Sequence, residues 1–132
     1  MVQDWFAAFV FTQVLEVPIY YVALGRRAGA LEGPSWRLGF AFLLSMATHP
    51  YVWFVIPSLF YSQAWDSLTY TYPWLDAWRY WLFFAGAESF AVVAEGLMLR
   101  GLRVPRPMLW ALAANAFSAF SGLLMRKIGW FL

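Results

Sequence analysis

The sequence predicts an all-α integral membrane protein folded as a single four-helix transmembrane bundle. Three observations carry that expectation. Apolar residues make up 63% of the 132 and charged residues only 12%, against roughly a half and a quarter in soluble domains. Four apolar runs, about residues 5–25, 36–60, 77–99 and 108–130, are each long enough to cross ~30 Å of hydrocarbon as a helix. The breaks carry turn chemistry, with Gly25, Gly29, Gly33 and Pro34 in the first and Gly101, Pro105 and Pro107 in the third. Residues 1–132 thus read as one domain.

The first run follows Asp4 where a cleaved leader would carry basic residues, and it is too long for one, so it reads as a span. Glu16 lies near its centre, with Thr12, Gln13 and Tyr20 around it at helical spacings and Pro18 close by. The second run centres on His49, the only histidine, with Ser45 and Trp53 a turn to either side and Pro50 directly after it. A proline has no N–H and displaces the carbonyl four residues back. Pro18, Pro50 and Pro57 should therefore free the carbonyls of Val14, Met46 and Trp53, kinking the first and second helices and turning oxygens toward an internal cavity.

The connection 61–76 is rich in Trp and Tyr, which suits a membrane–water interface. The third run carries Glu88 near its centre and Glu95 two turns on along the same face, about 10 Å deeper. There Glu95 serves either as a relay or as a partner for Arg100 or Arg103. The fourth run has a small and polar stripe, Ala111, Asn115, Ser118 and Gly122, suited to close helix approach and to hydrogen bonds between helices. Arg26, Arg27, Arg37, Arg100, Arg103 and Arg106 flank one side of the bundle, against Arg79, Arg126 and Lys127 on the other. The positive-inside rule then puts both termini outside the cytoplasm, in a plasma or inner membrane.

Zero cysteines exclude disulfides, thiolate metal sites and a cysteine nucleophile. No phosphate loop, His-Glu-x-x-His, Gly-x-Ser-x-Gly or nucleic-acid module is present, and a net charge of +2 carried by loop arginines does not indicate nucleic acid. Function is expected from polar groups inside the spans. Glu16, His49, Glu88 and Ser118 fall at similar depth near the bilayer midplane. A carboxylate there costs several kcal/mol unless it is neutralised, paired or metal-bound. Glu16, His49, Glu88 and Glu95 are accordingly the expected cation or proton site, with Tyr20, Asn115 and Ser118 supporting them.

Such a site suits three chemistries. Glu16, His49 and Glu88 offer oxygen and nitrogen ligands to a divalent cation such as zinc, iron or manganese. The same groups with Glu95 could relay protons or couple them to a transported cation. A Glu–His pair or a metal-bound water could act on a lipid or peptide, although no convincing nucleophile accompanies them. A different class is an accessory subunit whose polar residues lock helices together or dock a partner. Four short helices enclose little volume, so a through-pathway implies a homo-oligomer or a larger membrane complex. In size, four-span layout and the mid-span Glu16, the chain resembles the small multidrug resistance exporters, which implies proton exchange at Glu16. His49, Glu88, Glu95 and the long aromatic connection depart from that family's pattern, and no further residue carries over.

Overall fold

A computed structural model describes residues 2–27 and 33–129, with side chains from Trp5 onward. The elements are α1 (Val2–Gly25), α2 (Pro34–Pro50), a π-helical turn (Tyr51–Val55), α3 (Ile56–Phe60), α4 (Gln63–Thr71), α5 (Trp74–Gly101) and α6 (Pro107–Lys127). Four stretches are long and apolar enough to cross a membrane: Trp5–Gly25, Pro34–Phe60, Trp74–Gly101 and Pro107–Lys127. The second of these joins α2, the π turn and α3. There is no strand among the described residues.

Each long helix buries residues at three- and four-residue steps, the spacing of one helical face. In α1 these are Gln13, Glu16, Tyr20, Ala23 and Leu24, and in α2 Ala41, Leu44, Ser45, Thr48 and His49. In α5 they are Ala87, Ala91, Glu95 and Leu99, and in α6 Ala111, Ala114, Asn115 and Ser118. The four faces meet in a ring: α1 packs against α2 and α6, α5 packs against α6, and a lighter α2–α5 contact closes it. Small residues bring α5 and α6 closest. Gly96 has no room for a Cβ, because Met108 of α6 occupies that position.

The helix ends explain why α5 and α6 lie side by side. Val104 N–H bonds to Leu99 C=O and Arg103 N–H to Arg100 C=O, both at 3.0 Å, the paired bonds of a Schellman helix end. Its left-handed position, usually glycine, is Arg103 at φ 60°. Val104 and Leu99 are both buried, supplying the apolar contact that accompanies such an end. Arg106, also left-handed at φ 52°, then starts α6 with Pro107 at its first turn.

The prolines act differently from the sequence-based expectation. α1 runs unbroken through Pro18, and Pro18 and Val14 both lie on the exposed face, away from the cavity lining. Met46 and Pro50 are exposed too. The irregularity follows Pro50: Ile56 N–H reaches back five residues to Tyr51 C=O, widening the turn just ahead of Pro57. The connection 61–76 contains a short helix, α4, capped by Ser62, whose hydroxyl accepts from Trp65 N–H at 3.3 Å.

Burial is uneven along the bundle. The apolar core of Tyr20, Ala23, Leu24, Ala41, Leu44, Leu99, Val104, Ala111 and Ala114 fills the end that carries the 101–106 connection. The opposite end holds a cavity.

Candidate functional site

The buried polar residues form two layers. In the layer next to the apolar core, Glu95 is 1% exposed and receives a hydrogen bond from each of the other three long helices. The Tyr20 hydroxyl of α1 and Asn115 Nδ2 of α6, at 2.6 Å, donate to Oε2, while Thr48 Oγ1 of α2 donates to Oε1 at 2.5 Å. Asn115 is itself held by Ala111 C=O at 3.0 Å and lies 3.2 Å from the Tyr20 hydroxyl. The α5 side chain leans toward its own N-terminus, which carries the Glu95 carboxylate away from the arginine-rich end and up to Thr48. Arg100 and Arg103 stay exposed, so an ion pair with either gives way to this three-helix cradle.

One turn further out, Glu16 is 2% exposed. Ser118 Oγ donates to its Oε1 at 2.5 Å, and Ser45 lies beside it. Ser45 in turn accepts from Gln13 Nε2 at 3.0 Å. Glu88 of α5 is partly buried, close enough to Glu16 for their charges to interact, and has no hydrogen bond among the described residues. His49 is 5% exposed, and its Nε2 is sealed from solvent without a hydrogen-bond partner. Its ring lies 5.1 Å from Phe9 and 6.1 Å from both Trp5 and Trp53.

Both layers face one cavity of about 830 Å³. Glu95 and Asn115 lie at its floor, and Glu16, Ser118, Glu88 and His49 stand along its wall. Phe11, Trp53, Tyr80 and Phe84 supply aromatic surface above them. At the far end, Ala7 of α1 and Arg126 and Gly129 around the end of α6 are exposed, which makes this end the mouth. None of Glu16, Glu88 and Glu95 pairs with a basic side chain among the described residues. Arg79 is engaged instead at the surface with Asp66 at 3.0 Å and Asp76 at 2.8 Å.

All seven residues singled out from the sequence therefore line this cavity or bond to groups that do, but they divide. Glu95, Tyr20 and Asn115 form a hydrogen-bonded knot, whereas Glu16, Glu88 and Ser118 stand on the open wall. His49 lines the cavity with one nitrogen shut among rings. Among the described residues, no group of three or more His, Cys, Asp or Glu side chains is gathered closely enough to hold a metal ion. Thr48 and Arg126 were not expected. Thr48 was legible as a member of the α2 stripe Ala41, Leu44, Ser45 and Thr48, but Arg126 reads in sequence as an ordinary helix-end cation.

Comparison with protein-family models, curated proteins and solved structures returns no match.

Proposed function

We propose that the chain is an integral membrane protein, with both termini on the non-cytoplasmic side, whose cavity binds a cation in exchange for a proton at Glu16 and Glu88. The observation that carries this reading is the pair of acidic side chains on one cavity wall with no basic partner among the described residues. Charge balance at that depth requires each carboxylate to hold a proton or a counter-ion. A cation entering from the mouth takes the proton's place. The bilayer is supported by four long apolar stretches and by outward-facing Val14, Phe42, Leu59, Phe117, Phe120 and Leu124. The arginine distribution supports the orientation in which the closed end is inside and the mouth outside.

The test is proton release from purified protein in weakly buffered detergent on addition of zinc chloride or octylammonium chloride. At least one cation should displace protons from the wild-type chain and not from a Glu16→Gln/Glu88→Gln variant. Equal release from both proteins, or none from either, refutes the reading. A bound divalent metal is the less favoured form of it, because the described acidic and histidine groups do not gather into a three-ligand set. One observation favours a purely structural role, that of an accessory subunit: the Glu95 knot ties four helices together. That knot and the open wall are different residues, so each is testable without the other.

A further inference from the structure

The cavity is charged oppositely at its two ends, and this narrows what it accommodates. Arg126 lies on the cavity lining at the mouth, its guanidinium 5.0 Å from the centre of the Tyr80 ring, and no carboxylate pairs with it among the described residues. Tyr80, Phe84 and Glu88 follow at four-residue steps along α5, and Ser118, Gly122 and Arg126 do the same along α6. Eight residues of helix span about 12 Å, so both walls put the same axial distance between the acidic layer and the arginine layer. Between them the surface is apolar, with Tyr80 stacked on Phe84 at 6.2 Å and Phe11 and Trp53 also lining the space.

A simple cation would have to settle beneath an unpaired arginine. An anion would meet that arginine and then two acidic side chains. A molecule with a protonated amine at one end, an acid group at the other and an apolar body between satisfies both layers. The volume of about 830 Å³ lies within the ~300–1,000 Å³ usual for organic ligands and far exceeds what a bare ion needs.

We infer that the occupant is an elongated zwitterion, bound amine-inward at Glu16 and Glu88 and acid-outward at Arg126. This inference rests on the cation reading and specifies its ligand. The experiment is calorimetric titration of the full chain in detergent with ω-aminooctanoate, octylammonium and octanoate. Wild-type protein should bind ω-aminooctanoate about threefold more tightly than either singly charged probe, the increment expected of an ion pair at an exposed arginine. Arg126→Gln should reduce the zwitterion to the level of octylammonium, and Arg126→Lys should retain part of the preference. Arg126 is exposed, so these variants leave the buried faces intact. If octylammonium binds as tightly as ω-aminooctanoate, or if Arg126→Gln leaves the preference unchanged, the inference is overturned. In that event, loss of octylammonium binding in Glu88→Gln leaves the cation reading standing. If no probe binds, the inference also falls, and proton release with zinc judges the cation reading by itself.

Discussion

Replacing Glu95 distinguishes a charge requirement from a hydrogen-bond requirement at the floor of the cavity. Its side chain accepts from Tyr20, Thr48 and Asn115, one donor from each of the other long helices. Side-chain hydrogen bonds between membrane helices average ~0.6 kcal/mol and reach ~1.7 kcal/mol. Three of them make Glu95→Ala about 2–5 kcal/mol less stable. Two donors keep alternatives, Thr48 at Ser45 C=O and Asn115 at Ala111 C=O, which favours the lower part of that range. Glu95→Gln should behave differently. Its amide oxygen, placed at the Oε2 position, keeps Tyr20 and Asn115, while its NH2 donates to Thr48 Oγ1, which retains its own bond to Ser45 C=O at 3.1 Å. The expected cost is below ~1 kcal/mol. Unfolding in mixed micelles by SDS titration, followed by circular dichroism, measures both variants. If Glu95→Gln is as unstable as Glu95→Ala, the knot depends on the ionised carboxylate and the hydrogen-bond argument is wrong.

Two further outcomes follow from packing. Gly96→Ala should be tolerated at a cost of about 1–3 kcal/mol, because the colliding Met108 sulfur is the movable end of a flexible side chain. Gly96→Val should cost clearly more, since Met108 Cα lies 3.5 Å from the added carbon and cannot withdraw, and thermal unfolding in detergent ranks the two. His49→Leu should shift stability by less than ~1 kcal/mol: removing a buried nitrogen that has no partner offsets the loss of its edge-on contact with Phe9. A loss above ~2 kcal/mol in the same assay would show that Nε2 is hydrogen-bonded after all.

Helix periodicity made much of the candidate site readable. Glu16 with Tyr20, Asn115 with Ser118 and Glu88 with Glu95 recur at three, four or seven residues, so each pair was bound to share a face. What periodicity does not contain is which faces meet. Glu16, His49, Glu88 and Ser118, expected at one depth, line one cavity, and Glu95, expected deeper on the same face, is held at its floor by Thr48, a contact that depends on α2 and α5 meeting there. The prolines divide for a related reason. Their chemistry predicts a freed carbonyl, but Val14 and Met46, opposite Pro18 and Pro50, are exposed and absent from the cavity lining, whereas Trp53, opposite Pro57, does line it.

By itself the sequence determined the number of long helices, their order and the identity of the costly polar groups within them, because apolar length and 3.6-residue periodicity are properties of one chain segment at a time. Only the tertiary structure decided that one end of the bundle is packed shut by Tyr20, Leu24 and Leu99 while the other encloses a cavity. It alone put Arg126 at the mouth, above carboxylates more than a hundred residues earlier on α1 and nearly forty earlier on α5. The reason is physical: a charge acquires its role from whatever lies within a few ångströms of it, and that neighbourhood is created by helices meeting in space.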